Sequence, residues 1–225
     1  MHLMFKHPAT YLVGGPTGCG KTVFVRRCIN NHRLMFHIEE TCAQFRVMWC
    51  YGQWQSGYNE LLSDDVEIAY FKGLPVEDDI SPVKPHLIVI DDLMNELNNN
   101  TNVANLFTKV SHHMNISVLF ITQNIFHKSP VMRTISLNCH YMIYFKNVRD
   151  RSQIQHLARQ LFPSNTKFLV QAYEDATSSP HSYIKIDLSP STPENLRIQS
   201  RICPEEVNWQ TPYPHIIYVP RNGKK

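Results

Sequence analysis

The sequence has few cysteines, no long apolar run and little net charge. Its six cysteines among 225 residues form no C-x-x-C pair, a distribution typical of reduced thiols in an intracellular protein and not of a disulfide framework. No stretch of 18 apolar residues occurs, so we expect no transmembrane helix and no membrane partner. The first residues also lack the apolar core of a signal peptide. With 43% hydrophobic residues, the chain is long enough for a globular domain with a substantial core.

Charged and metal-binding side chains do not by themselves identify a partner. The net charge of +3 neither requires nor excludes nucleic acid. Between residues 60 and 80, seven acids stand against the single cation Lys72, and solvated surface charge explains this stretch at least as well as a functional role. The adjacent His112 and His113 would not share a helix face, and the cysteines lack the spaced partners of a zinc site. We therefore expect no structural zinc.

One eight-residue run is far more informative, because it matches G-x-x-x-x-G-K-[ST], the phosphate-binding P-loop. Its glycines allow successive backbone N–H groups to point at phosphate oxygens. Lys21 would reach the β- and γ-phosphates of ATP, and the Thr22 hydroxyl would bind Mg²⁺. Cys19 would be either a small filler or an oxidation-sensitive thiol. The candidate nucleotide-binding residues are Gly15, Pro16, Thr17, Gly18, Cys19, Gly20, Lys21 and Thr22.

The pattern around and beyond the P-loop predicts an α/β fold with a mainly parallel central sheet flanked by helices. A β-prone run precedes the loop, and helical spacing of apolar residues follows it. Strands and helices then alternate, which is typical of parallel sheets. The predicted strands are 10–13, 45–51, 66–71, 87–90, 116–122 and 141–145, with possible edge strands at 182–188 and 196–203. The predicted helices begin near residue 20 and cover 103–114, 154–161 and 167–175.

Ser and Pro become frequent after Thr177, and further prolines follow Pro204. We therefore expect a P-loop ATPase domain over residues 1–204 and an irregular tail over residues 205–225.

Polar side chains follow two of the predicted buried strands. Asp91 and Asp92 end the strand 87–90, where ligands of open α/β sheets bind. Asp91 would hold Mg²⁺ through water, and Asp92 would polarise the attacking water. Glu96 is a rival for this general base. Gln123 closes the strand 116–122, beside the expected γ-phosphate, where its amide would distinguish ATP from ADP.

Arginines occupy an unusual position at a predicted helix start. Asp150 followed by Gln153 has the spacing of a capping box. Arg149 and Arg151 flank this cap, although cations at a helix N-terminus are disfavoured by about 0.3–1 kcal/mol. An anion from outside would explain them, either a neighbouring subunit's γ-phosphate or DNA phosphate, and Arg133 is a second candidate for such an arginine finger. A solvated side chain or a local pairing with Asp150 remains the alternative.

These motifs together resemble the FtsK/HerA superfamily of pumping ATPases. More narrowly, they resemble the genome-packaging ATPases of poxvirus-like DNA viruses and of Polinton/Maverick elements and adintoviruses. The resemblance extends from Phe5 to about Pro204, and the P-loop and residues 133–163 are its most specific parts. The motifs that carry it are residues 15–22, 90–92, 121–124, 133–138 and 145–154.

The resemblance implies a RecA-like core and a homo-oligomeric ring, a hexamer, that uses ATP and Mg²⁺ to drive double-stranded DNA into a preformed capsid. Capsid or portal-vertex proteins would be partners, in a host nucleus or cytoplasm or on the virion. Asp92 is a departure, because cellular FtsK-like motors more often carry Glu there, and Glu96 therefore stays in consideration. Candidate DNA contacts are Lys109, His112, His113, His127 and Lys128.

Two other functions remain open at this stage. A small-molecule phosphotransferase would share the P-loop, although no Arg-rich lid is evident. A nucleotide-gated DNA-binding adaptor would bind ATP without hydrolysis, which the intact Asp91–Asp92 pair disfavours.

Overall fold

A mixed nine-stranded sheet organises the protein. The computed structural model describes residues 4–38, 43–59, 63–94, 96, 105–127, 129–206 and 215–221. Two short strands, β1 (Phe5–Lys6) and β3 (Phe36–His37), form a separate parallel pair. The strands of the large sheet are β2 (Thr10–Gly14), β4 (Phe45–Tyr51), β5 (Val66–Lys72), β6 (Leu87–Asp91), β7 (Ser117–Thr122), β8 (Tyr141–Phe145), β9 (Tyr183–Asp187), β10 (Ile198–Ser200) and β11 (Ile216–Tyr218).

The strand order across this sheet is β11-β10-β9-β8-β2-β7-β6-β4-β5. The six strands from β8 to β5 run parallel, and β9, β10 and β11 run antiparallel at one edge. In register, Gly14 lies beside Thr122, and Asp91 lies beside Ile121. The carboxyl ends of β2, β6 and β7 therefore meet at one edge, which is where an open α/β sheet binds its ligand.

Helices cover both faces of the sheet. Within β2, Tyr11 and Val13 belong to one hydrophobic cluster and Leu12 to the other, because successive side chains of a strand point to opposite faces. The helical segments are α1 (Lys21–Asn30), α2 (His32–Met35), α3 (Glu77–Val83), a π-helical turn (Leu106–Val110) leading into α4 (Ser111–His113), α5 (Pro130–Asn138), α6 (Ser152–Leu161) and α7 (Thr166–Ala176), with 3₁₀ turns at Ser56–Asn59, Glu194–Leu196 and Pro204–Glu206.

The predicted α/β class with a mainly parallel sheet is confirmed. The strands β4 and β8 have the predicted bounds, and α1 begins at Lys21 as expected. Among the described residues, no helix combines the length and apolar composition needed to cross a lipid bilayer.

Three local expectations were incomplete. The predicted helix over 103–114 is π-helical over Leu106–Val110, and residues 103 and 104 lie outside the described residues. The expected irregular course after Pro204 includes β11, which pairs antiparallel with β10 and so extends the sheet. Part of the acidic stretch forms the first turn of α3, where Asp79 accepts a hydrogen bond from the Val76 N–H at 2.9 Å. Acids at a helix N-terminus are stabilised by its dipole.

One strand of the sheet carries a buried lysine. Lys185 of β9 is 1% exposed, and its ammonium lies 4.8 Å from the ring centre of Phe5 and 5.1 Å from that of Tyr141. The Nζ donates a hydrogen bond to Gln199 Oε1 at 3.1 Å. Burial lowers the pKa of Lys185 to about 8, although the nearby charge of Asp187 acts in the opposite direction. The charged lysine is therefore a cost to folding at neutral pH.

Replacing this lysine with methionine should change the pH dependence of stability. Between pH 8 and the unfolded pKa of 10.5, the unfolded chain keeps the Lys185 proton and the folded protein releases it, so the wild type gains stability as pH rises through this window. The gain is on the order of 3 kcal/mol. We expect Lys185→Met to be favoured relative to wild type at pH 7 and to lose that relative advantage by pH 10, as measured by urea unfolding. A stability difference that is constant across this range would contradict the assignment.

Candidate nucleotide-binding site

The P-loop connects β2 to α1 at the carboxyl edge of the sheet. Gly15 has φ 154°, and a Cβ there would lie 2.7 Å from Phe145 Cβ and 2.8 Å from Cys19 Sγ, so no side chain fits without movement. Gly18 has φ 75°, and a Cβ there would meet no atom within 4 Å. Glycine is therefore favoured at this position by the backbone conformation and not by a lack of space. The Gly15 N–H donates to the Thr122 carbonyl at 3.2 Å, which fixes the loop to β7. Glycine at positions 15 and 18 therefore suits the backbone conformation of this loop.

Lys21 lies over this loop. Its Nζ donates hydrogen bonds to the carbonyls of Gly15 at 2.7 Å and Pro16 at 2.9 Å. These carbonyls are neutral partners for a cation, and phosphate oxygens would be stronger ones. Cys19 is 9% exposed, and burial raises the pKa of its thiol despite the opposing charge of Lys21. A thiol that stays protonated is a poor nucleophile, which favours the interpretation of Cys19 as a filler.

The two predicted Mg²⁺ ligands lie side by side. Thr22 is in the first turn of α1 and Asp91 ends β6, and the Thr22 hydroxyl donates to Asp91 Oδ2 at 3.5 Å. Asp91 is 3% exposed, and burial raises the pKa of its carboxyl, an effect that the hydrogen bond from Tyr58 partly offsets. A hydroxyl and a carboxylate are oxygen ligands of the kind that Mg²⁺ uses together with substrate phosphates. The donor set therefore fits a magnesium–nucleotide complex.

The two predicted water-activating and sensing side chains reach the same place. Asp92 and Gln123 are exposed and line a cavity of about 150 Å³ together with Lys21, Thr22 and Asp91. Asp92 has φ 57°, a left-handed conformation that turns the chain sharply after β6.

Glu96, the rival general base, lies elsewhere. Its Oε2 lies 3.8 Å from the Cβ that a side chain on Gly73 would have, just beyond the end of β5. Glu96 is not among the residues that line the cavity of Asp92. This placement favours Asp92 as the base.

A second cavity of about 440 Å³ adjoins the other side of the P-loop. It shares Gly18, Lys21, Thr22 and Gln55 with the smaller cavity, so the two cavities are adjacent. Its remaining lining residues are Gly20, Val23, Phe24, Arg27, Phe145, His181, Tyr183 and Glu206.

Sequence reasoning missed Tyr58 and Gln55, which lie in the loop after β4. The Tyr58 hydroxyl donates to Asp91 Oδ2 at 2.9 Å, inside the protein. Burial and the Asp91 charge raise the pKa of Tyr58, so its hydroxyl stays protonated and remains a donor. The aromatic density of residues 49–58 was the one available signal, and it does not by itself distinguish core packing from a site.

The candidate arginine fingers do not line either P-loop cavity. Arg149 and Arg151 are exposed and follow β8, the neighbour of β2, so they lie at the same edge of the sheet. Arg133, on α5, lines a separate cavity of about 1120 Å³.

The predicted helix cap is displaced by one residue. Arg151, and not Asp150, occupies the N-cap position of α6. The Asp150 carboxylate still accepts hydrogen bonds from the Ser152 N–H at 3.0 Å and from Gln153 Nε2 at 2.8 Å. The Asp150 side chain therefore accepts hydrogen bonds from the first turn of α6, although Asp150 stands one residue before the N-cap position that a capping box uses.

The candidate DNA contacts are only partly described. His127 is exposed and lines the same cavity as Arg133, and His113 is exposed on α4. Lys128 lies outside the described residues, as do the side chains of Lys109 and His112.

Comparisons with known proteins establish the fold at low sequence identity. No protein-family model matches the chain, and no curated protein is significantly similar to it. The genome packaging NTPase B204 from Sulfolobus turreted icosahedral virus 2, in complex with ATP-gammaS, has a TM-score of 0.53 and 10% sequence identity, covering 86% of this chain and 96% of that chain. The same protein with AMPPCP has a TM-score of 0.50 and 10% identity, covering 82% and 95%.

B204, the DNA-packaging ATPase from Sulfolobus Turreted Icosahedral Virus, also has a TM-score of 0.50 at 10% identity, with coverage of 81% of this chain and 94% of that chain. The likeness extends over nearly the whole of each neighbour. The chain therefore has the α/β fold of a P-loop NTPase.

Proposed function

We propose that this protein is an ATP-hydrolysing motor that moves double-stranded DNA into a viral capsid. One observation carries the proposal: the P-loop, Asp91, Asp92 and Gln123 converge on one cavity, in a fold shared with a packaging NTPase that was solved with ATP analogues. A poxvirus-type or Polinton-type motor is the narrower form of the proposal, supported by the motif order in the sequence.

The residues divide the work of hydrolysis between them. Lys21 would exchange its bonds to the loop carbonyls for bonds to the β- and γ-phosphates, where its charge stabilises the transition state. Thr22 and Asp91 would hold Mg²⁺, which withdraws charge from the phosphate oxygens. Asp92 would accept a proton from the attacking water, and the Gln123 amide would bind both the water and the γ-phosphate.

The arginines complete the site in an assembly of several subunits. Arg149, Arg151 and Arg133 are exposed and lie outside both P-loop cavities of their own chain. Each is therefore available to a neighbouring subunit's γ-phosphate, as a hexameric ring requires. Such a ring would act in the host nucleus or cytoplasm, or on the virion, together with capsid or portal-vertex proteins.

The proposal predicts that double-stranded DNA stimulates ATP hydrolysis severalfold. The assay measures phosphate release by the assembled protein with and without linear duplex DNA. Because a motor holds DNA through its phosphates, the stimulation should weaken as salt rises.

Two results would count against this function. Phosphate release that is indifferent to DNA would remove the motor while keeping the ATPase. Transfer of the phosphate to a small-molecule acceptor, in place of water, would indicate a phosphotransferase.

A further inference from the structure

Tyr58 touches the proposed metal site but has no part in the hydrolysis described above. It lies in the 3₁₀ turn Ser56–Asn59 after β4 and is 3% exposed. Its hydroxyl donates a hydrogen bond to Asp91 Oδ2 at 2.9 Å, whereas the Thr22 hydroxyl lies 3.5 Å from the same oxygen. The contact from Tyr58 has an ordinary hydrogen-bond length, and the contact from Thr22 is longer.

The position of the Tyr58 ring is determined from several sides. Trp49 and Trp54 each lie 5.3 Å from it between ring centres, and Tyr70 stacks on it at 5.9 Å. The Tyr70 hydroxyl also donates to the Tyr58 carbonyl at 2.7 Å. The three rings therefore hold this phenol before any ligand arrives, with or without the backbone hydrogen bond from Tyr70.

A fixed donor at one oxygen limits how the Asp91 carboxylate can rotate. Among the described residues, the hydrogen bonds that Asp91 Oδ2 accepts come from the hydroxyls of Tyr58 and Thr22. Groups that hydrogen-bond a metal ligand from behind orient that ligand and strengthen metal binding. The hydroxyl of Tyr58 stands in this relation to Asp91.

We propose that Tyr58 is a positioning residue that orients the Asp91 carboxylate for the magnesium ion of the bound nucleotide. This inference rests on the proposed nucleotide site. Its action is through Asp91 alone, so the aromatic packing around Tyr58 serves to deliver the hydroxyl and makes no separate contribution to metal binding.

The decisive variant is Tyr58→Phe, which removes one oxygen and keeps the ring. We expect Mn²⁺, added with AMPPCP and followed by electron paramagnetic resonance, to bind the variant about tenfold more weakly than the wild type. The Mg²⁺ concentration for half-maximal ATP hydrolysis should rise to the same extent, whereas kcat at saturating Mg²⁺ should change little.

The matched control is Tyr70→Phe. This change removes a hydroxyl from the same aromatic group, but that hydroxyl binds the Tyr58 carbonyl and does not contact Asp91. Its Mn²⁺ affinity should stay close to that of the wild type, with thermal unfolding of both variants measured alongside.

A second measurement covers the case in which Tyr58→Phe lowers stability. If Tyr58 acts through Asp91, adding Tyr58→Phe to Asp91→Ala should leave the residual Mn²⁺ affinity unchanged. A further loss in the double variant would overturn the proposal, as would unchanged or tighter Mn²⁺ binding in Tyr58→Phe alone, or an equal loss in Tyr70→Phe. If the wild type itself fails to bind Mn²⁺ with AMPPCP, the proposed function fails first and the inference fails with it.

Discussion

Replacing Lys21 with alanine should reduce ATP hydrolysis by about a thousandfold, the effect expected when a preorganised donor to the reacting phosphate is lost. Among the described residues that line the smaller cavity, Lys21 is the one cationic side chain. Its ammonium bonds the carbonyls of Gly15 and Pro16, so it is already held over the phosphate cradle. The measurement is phosphate release at saturating ATP and Mg²⁺, in the presence of duplex DNA.

Lys72→Ala is the matched control for this prediction. Lys72 is exposed at the end of β5 and is absent from both P-loop cavities, so its removal should leave the rate unchanged. Because Lys21→Ala also removes two hydrogen bonds within the loop, thermal unfolding of both variants should be followed in parallel. An active Lys21→Ala protein would mean that the P-loop is not the site of hydrolysis.

Replacing Asp92 with asparagine should lower kcat by about a hundredfold, the usual contribution of a general base. The amide keeps the size of the side chain and its hydrogen-bonding reach, but it cannot accept the proton of the attacking water. Nucleotide binding should persist, because Lys21, Thr22 and Asp91 are untouched. Single-turnover hydrolysis together with nucleotide affinity separates these two effects.

Glu96→Gln provides the comparison. Glu96 lies beside Gly73 and outside the cavity of Asp92, so this variant should hydrolyse ATP at close to the wild-type rate. The reverse pattern, with Glu96→Gln inactive and Asp92→Asn active, would assign the base to Glu96 and would require the segment after β6 to move on nucleotide binding.

Local pattern was sufficient for much of the fold. The strands β4 and β8 were predicted with their observed bounds, because each is a compact apolar run bordered by polar or turn residues. The edge strand β11 was missed, since three residues among prolines carry little local signal and owe their structure to pairing with β10. The helix α3 was missed for a related reason: its acids were interpreted as solvated charge, and Pro82 lies within it.

The candidate site, like the fold, was predicted from sequence only in part. The roles of the P-loop residues, Asp91, Asp92 and Gln123 stay predictions, but the structure places these side chains together as the motifs imply. The place of the arginines relative to the P-loop could not be predicted from sequence, because it depends on which strands the sheet brings side by side. That Arg149 and Arg151 line neither P-loop cavity became evident only with the fold.

The sequence by itself determined the P-loop motif, the alternation of strands and helices in the central part of the fold, and the acids at the strand end. These features depend on residues close together in the chain: glycine conformations, apolar periodicity and the polar residue after a buried strand. The tertiary structure alone decided that Tyr58 binds Asp91 from 33 positions away, that Glu96 lies beside Gly73 and does not line the cavity, and that Lys185 is buried against aromatic rings. These contacts depend on which loops and strands the sheet brings together. The spacing of side chains along the chain does not predict that arrangement.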